Sequence, residues 1–157
     1  ILLHDLARRD PPGLDVTLFA TDLDETALAR ARAALYPAAS LANVRHGLLT
    51  SSFIQEGEAY RVLPAIARLV RFSMHDMRDR RTAAPADSVF GTFDLILCRN
   101  LLIYFETEYQ AILCEKLWRS LANGGYLLLG QTETLAAPWQ GRFHQVTDCC
   151  RLYRKRV

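Results

Sequence analysis

The pattern of apolar and polar positions divides the chain into alternating helices and strands. Residues 1–9 read as the back half of a helix that stops at Pro11-Pro12-Gly13. Val16 to Thr21 is a short β-rich run. Glu25 to Leu35 reads as an Ala/Leu/Arg helix with an acidic first turn, as the helix dipole favours, and Asp24 is its expected N-cap. Residues 36–68 are interrupted by Pro37, Asn43, Gly47 and Gly57; within them Tyr60-Arg61-Val62-Leu63 is expected as an edge strand. A strand is predicted near 69–74 and a loop over 78–92. Phe93 to Cys98 is the clearest buried strand. A helix is predicted from Glu106 to Leu121, stopped by Gly124-Gly125 where a left-handed cap is wanted. Tyr126 to Leu129 is a second wholly apolar strand, and the tail reads as an antiparallel pair, Phe143–Val146 with Leu152–Arg156. Near-continuous apolar strands alternating with helices predict an α/β domain with a mostly parallel sheet covered on both faces.

Composition narrows the function classes. Half of the 157 residues are hydrophobic and 23% are charged, which fits one domain with a real core. No apolar run reaches membrane-span length, so no membrane insertion is expected. The start, Ile1-Leu2-Leu3-His4-Asp5, has neither an initiator Met nor a basic leader and reads as mid-domain sequence. The net charge of +2 is too small to point to nucleic acid. Cys98, Cys114, Cys149 and Cys150 form no Cys-x-x-Cys pair and the histidines are scattered, so no metal site is expected; free thiols fit a cytoplasmic location. Arg61, Arg68, Arg71, Arg78, Arg80 and Arg81 read as a solvated surface, with a basic face for an acidic helix as the competing reading.

Four motifs follow predicted strands. In Phe19-Ala20-Thr21-Asp22-Leu23-Asp24 an acidic residue sits at the edge where open α/β sheets bind ligands. There Asp22 could accept ribose hydroxyls while Asp24 caps the helix; an ordinary N-cap is the competing reading. In Phe72-Ser73-Met74-His75-Asp76-Met77 an Asp could accept an adenine amino group beside an apolar neighbour, or simply begin a polar loop. Phe93 to Phe105 ends a strand in Arg99-Asn100 and continues apolar to Tyr104. Buried Arg, Asn and Tyr need partners, so this points to a site rather than a structural corner. Gly130-Gln131-Thr132-Glu133 reads as a polar turn and helix start, ambiguous alone.

In this order the motifs resemble the catalytic domain of the CheR-type chemotaxis-receptor methyltransferases: Ala-Thr-Asp-x-Asp, Phe-x-x-His-Asp, Phe-Asp-Leu-Ile-x-Cys-Arg-Asn-x-Leu-Ile-Tyr-Phe, and Gly-Gly-Tyr-Leu-x-Leu-Gly-x-Thr-Glu. The block from Cys98-Arg99-Asn100 to Tyr104 is the most specific, and the resemblance covers nearly the whole chain. It implies a Rossmann-like class I fold that uses S-adenosylmethionine and leaves S-adenosylhomocysteine. It also implies an antiparallel C-terminal pair and a small β-subdomain insertion over 41–68 within a partial domain spanning 1–157. By resemblance Asp22 matches the residue that holds the cofactor ribose, and Asp76 and Met77 match the pair at adenine. Arg99 and Asn100 match residues along the methionine part, and Tyr104 a tyrosine near the transferred methyl; Arg99 and Tyr104 are the catalytic candidates. The implied partner is a methyl-accepting chemotaxis receptor, methylated on glutamate side chains. In some members the β-subdomain docks the receptor's terminal peptide; the segment here has no evident docking pattern.

The family's glycine-rich cofactor loop, with the first strand of the sheet, is expected just before Ile1, and an all-helical N-terminal domain before that. Without that central strand the core is expected to be opened, in a truncated domain or one whose strand is supplied from elsewhere, with misfolding, a strand-exchanged dimer or weak cofactor binding as the alternative outcomes. Two other function classes stand beside the main one: a methyltransferase of another substrate, and a non-catalytic nucleotide- or partner-binding remnant. A dinucleotide oxidoreductase is weaker, because no Gly-x-Gly-x-x-Gly follows a strand.

Overall fold

The computed structural model describes residues 1–9, 14–79 and 91–156, in two compact units, Ile1–Asp76 and Met77–Val157. Pro11-Pro12-Gly13, Arg80, Arg81 and most of the 78–92 loop lie outside the described residues.

In the first unit α1 (Leu2–Arg9) precedes β1 (Leu18–Asp22) and α2 (Glu25–Ala33). The Asp24 carboxylate accepts a hydrogen bond from the Thr26 N–H at 2.8 Å, the expected N-cap. The helix ends two residues earlier than its composition suggests, because Ala34 turns left-handed (φ 53°) and its N–H closes onto the Ala31 carbonyl. α2 packs on β1 and β5 (Val70–Met74), which pair in parallel with Asp22 opposite Met74. Between them lie β2 (Leu35–Pro37), a short 3₁₀ turn (Ala38–Leu41), α3 (His46–Ser52), β3 (Phe53–Glu56), β4 (Ala59–Val62) and α4 (Pro64–Ala67).

The three short strands form an antiparallel sheet in the order β2-β4-β3, so the Tyr60–Val62 segment is its centre, not an edge. The reason is a partner drawn from outside the 41–68 segment: Leu35–Pro37 pairs along one side of β4 and the β3 hairpin along the other. Arg61 fixes this arrangement. Its guanidinium donates from Nε and Nη2 to both oxygens of Glu56, at 2.6 and 2.8 Å, and from Nη1 to the Ala33 carbonyl at 2.9 Å.

In the second unit β6 (Phe93–Cys98) pairs in parallel with β7 (Leu121–Leu129). β7 continues antiparallel to β9 (Leu152–Lys155), and β9 to β8 (Phe143–Gln145). The closing antiparallel pair is therefore present as expected. α5 (Thr107–Ser120) and the short α6 (Ala137–Gln140) cover one side. α5 directs Leu113, Cys114, Leu117 and Ser120 inward at helical spacing, against Leu121, Leu127, Leu129 and Phe143. Each buried leucine contributes about 1.5–3 kcal/mol.

Two expectations change here. β6 is not covered on both faces: Ile96 and Cys98 enter the core, while Leu95 and Leu97 alternate to the other face and are 40% and 60% exposed. Gly124-Gly125 does not cap α5. The helix ends at Ser120, Leu121 is already extended, and the glycines lie inside β7. There the register jumps from Phe93 opposite Leu121 to Leu95 opposite Tyr126. Gly124 takes φ +73° in this bulge, and a Cβ on Gly125 would lie 3.0–3.2 Å from the carbonyls of Ala122, Phe93 and Asp94. Among the described residues β1 pairs only with β5, and β6 only with β7. No helix among them is long and apolar enough to cross a membrane.

The C-terminal hairpin is tied to α5 by Lys155, only 8% exposed. Its ammonium donates to the Trp118 and Leu121 carbonyls at 2.8 and 2.7 Å and lies 4.2 Å from the Trp118 ring centroid. Lys155→Met keeps the stem but removes the ammonium from both carbonyls, leaving Trp118's with only the Leu121 N–H that closes the helix. It is expected to destabilise the second unit by about 1–3 kcal/mol, read as a lower denaturant midpoint with an unchanged slope.

Candidate functional site

The six candidate residues divide between the units: Asp22 and Asp76 in the first, Met77, Arg99, Asn100 and Tyr104 in the second. In the first, parallel pairing brings the carboxyl ends of β1 and β5 together. Asp22 is the last residue of β1; its exposed side chain accepts the Asp24 N–H at Oδ1, 3.0 Å away, and its carbonyl accepts the His75 N–H at 3.1 Å. Asp76 lies two residues beyond β5, half-buried, at the same edge.

In the second unit Met77 packs against the core cluster, and two side chains of α5 hold the segment that follows it. Lys116, 8% exposed, donates from Nζ to the Met77 carbonyl at 2.8 Å and to the Asp79 carbonyl at 2.5 Å. The Tyr109 hydroxyl donates to the Arg78 carbonyl at 3.2 Å. Arg99 and Asn100 follow β6 directly and are exposed, while Tyr104, in a 3₁₀ turn (Leu102–Tyr104), is 78% exposed. The expectation that Arg, Asn and Tyr are buried here is thus corrected. Arg99 and Tyr104 are exposed, Asn100 is exposed overall with its Oδ1 set against Gly130, and it is the backbone that turns inward.

What it turns around is Glu133. This carboxylate is 3% exposed and accepts four backbone N–H groups. Oε1 accepts from Leu101 at 2.8 Å and Leu102 at 2.7 Å; Oε2 accepts from Asn100 at 2.8 Å and Gly130 at 2.6 Å. Three successive amides converge because Asn100 adopts the left-handed conformation, φ 56°, making a concave anion nest. Gly130 allows the approach: a Cβ there would lie 2.5 Å from Asn100 Oδ1 and 2.6 Å from Glu133 Oε2. At the far end of the loop Gln110 Nε2 donates to the Leu102 and Phe105 carbonyls, each at 3.0 Å, and Phe105 stacks on Tyr109.

Burial raises the Glu133 pKa, but the bonds from Gly130, Asn100, Leu102 and Leu101 more than offset it and hold the carboxyl below its ordinary value. Cys98 moves the other way: burial first, then the negative charge of Glu133 and the neighbouring Cys114, pushes its thiol up to about 12. It is therefore a neutral core group at pH 7, not a nucleophile. Among the described residues no cluster of His, Cys, Asp and Glu could hold a metal ion.

The sequence reading treats Gly130–Glu133 as a polar turn with a helix start, yet the next helix begins at Ala137 and Glu133 is buried. Lys116, Tyr109 and Gln110 are absent from that reading. The available signal for Lys116 is its rarity, since Lys116 and Lys155 are the only lysines in the chain.

Residues 1–149 match the family described as CheR methyltransferase, SAM binding domain. The chain is 34% identical over 121 residues to a chemotaxis protein methyltransferase of Listeria innocua, covering 77% of this chain and 44% of the relative. It is 34% identical over 128 residues to one from Vibrio parahaemolyticus, covering 79% and 44%. Over 135 residues it is 30% identical to an uncharacterized 104.1 kDa protein of Rhodobacter capsulatus, covering 86% of this chain and 13% of that one. The chain thus spans less than half the length of the chemotaxis relatives it matches.

Glu133 carries a pH signature. With its folded pKa below the unfolded value of about 4.3, its contribution is fully present above that value and is lost as pH falls through the folded pKa. Glu133→Gln is expected to cost about 1–3 kcal/mol at pH 7 and to flatten the acid limb of stability against pH, measured by urea unfolding between pH 7 and 3.

Proposed function

The chain belongs to the CheR methyltransferase family, and we propose that its protein transfers a methyl group from S-adenosylmethionine to glutamate side chains of chemotaxis receptors. The observation that carries this reading is the position of the matched motifs. Each follows the carboxyl end of a parallel strand: Asp22 at β1, Asp76-Met77 after β5, Arg99-Asn100 after β6 and Gly130–Glu133 after β7. In open α/β sheets that is the ligand-binding end.

The donor chemistry fits the cofactor. An exposed carboxylate at a strand end, Asp22, suits the two hydroxyls of a ribose. Asp76 and Met77 offer an acceptor and an apolar side chain for adenine. Arg99 and Asn100 supply exposed donors and an acceptor for the amino-acid part. When bound, S-adenosylmethionine supplies an electrophilic methyl on a positive sulfonium. The acceptor glutamate would already be ionised at neutral pH, so this chain's residues would have no proton to remove from it. This chain's residues then have alignment and exclusion of water as their work. Arg99 orients a carboxylate, and the exposed Tyr104 hydroxyl positions the acceptor or the methyl. The location fitting this activity is the cytoplasm.

Two measurements test the reading on the full-length protein. Calorimetric titration with S-adenosylhomocysteine is expected to saturate, and Asp22→Ala to weaken it by about tenfold or more, the loss of one charge-assisted hydrogen-bonded pair. A wild type that binds nothing overturns the proposal. In methyl transfer to receptor cytoplasmic fragments, Tyr104→Phe is expected to lower kcat at unchanged cofactor affinity. Equal labelling of unrelated acceptor proteins would move the substrate reading to another class.

A further inference from the structure

Glu133 stands outside every role just assigned, yet the loop that carries Arg99, Asn100 and Tyr104 is folded around it. Four N–H donors on two carboxylate oxygens fill the group's acceptor capacity. Three of the donors are consecutive residues of the candidate cofactor loop, and the fourth, Gly130, is the first residue after the neighbouring strand. The carboxylate therefore locks the loop after β6 to the loop after β7. Asn100 has to stay left-handed for its N–H to reach Oε2, a conformation that a non-glycine residue holds only when its surroundings impose it.

We infer that Glu133 is the positioning residue of the cofactor site, setting the backbone from which Arg99 and Asn100 present their side chains. This rests on the methyl-donor reading above and adds a residue to it. Glu133 does not touch the ligand: its oxygens are turned into the protein and spent on main-chain amides. It acts through Asn100, whose side-chain Oδ1 lies over Gly130 beside the same carboxylate. An ionised group is needed because only a carboxylate offers acceptors to all four amides. A glutamine turns one end into a donor, facing either Leu101 and Leu102 or Asn100 and Gly130.

The experiment compares the full-length wild type, Glu133→Gln and Arg142→Ala, with affinity for S-adenosylhomocysteine and midpoint of thermal unfolding measured on each. Arg142 is the control because it stacks on Trp118 and Trp139 at 5.1 Å each, in the C-terminal packing, away from the loop. The expected result is a loss of affinity of about tenfold or more in Glu133→Gln, with the Arg142→Ala affinity within about twofold of wild type, the midpoints reporting how much stability each variant loses. The Asn100 side-chain amide signals in a nitrogen–proton spectrum are expected to move in Glu133→Gln and to stay in place in Arg142→Ala. Equal affinity in Glu133→Gln and wild type, or equal losses in both variants, overturns the inference and leaves Glu133 a purely structural clamp. A wild type that binds no S-adenosylhomocysteine overturns the methyl-donor reading itself, which is seen before any variant is compared. Should Glu133→Gln not fold, Glu133→Asp carries the test with the same outcomes. It keeps the charge but draws the oxygens back by one methylene, so it cannot span both arms.

Discussion

The convergence of four backbone amides on the buried Glu133 carboxylate is the constraint on which the second unit's candidate site depends. Two parallel strands, β6 and β7, end side by side, with Cys98 opposite Leu129, and the chain leaves both in turns. Turns that begin inside a core strand their N–H groups away from water, and each such group costs about 1–3 kcal/mol if unpaired. A single carboxylate meets four of them. Its own desolvation, which raises its pKa, is outweighed by the bonds it accepts. The geometry has one further requirement, the absence of a side chain at Gly130.

A second device works in the opposite polarity. The chain's two lysines, Lys116 and Lys155, are both buried and both donate to main-chain carbonyls, while its many arginines supply the other basic groups. The compact ammonium, with three donors on a flexible stem, suits the gathering of carbonyls from different segments. Lys116 gathers those of Met77 and Asp79 onto α5, and Lys155 those at the end of α5 onto β9. α5 thus anchors the Met77–Asp79 segment through Lys116 and Tyr109, the Tyr104 loop through Gln110, and the C-terminal hairpin through Trp118. Buried charged groups in this unit bond to the backbone, while Arg99, Asn100 and Tyr104 are exposed.

Much of this organisation is legible in the sequence, and what is not has a physical reason. Strands ending in Asp22, His75-Asp76 and Arg99-Asn100 announce themselves because an apolar run followed by polar residues is a local signal. Asp24 as a cap is local too. Apart from the early end of α2, where Ala34 turns left-handed, three of the misreadings involve partners distant in sequence. Gly124-Gly125 looks like a helix stop because left-handed backbone is needed in a cap and in a bulge alike; the choice depends on the register against Phe93. Tyr60–Val62 looks like an edge strand until Leu35–Pro37 supplies its second neighbour. Glu133 looks like a turn residue because its four donors lie up to 33 residues away, and a carboxylate's burial cannot be read without them. The Arg99, Asn100 and Tyr104 block reads as buried groups in need of partners, whereas these residues are exposed and it is the main chain that turns inward.

The proposed chemistry gives the enclosure of Glu133 a second consequence. An enzyme that methylates glutamate must not offer its own glutamate to the same electrophile. A carboxylate oxygen attacks through a lone pair, and at Glu133 the lone pairs are directed at amide hydrogens in a site closed to solvent. The bonds that hold its pKa down also lower its basicity and with it its nucleophilicity. Cys98, the other nucleophilic atom beside it, is kept as a neutral thiol by burial and by the same negative charge. On the proposed chemistry the reactive carboxylate is the acceptor's, not this one. Packing that fixes the loop and packing that silences competing nucleophiles are, in this unit, the same set of hydrogen bonds.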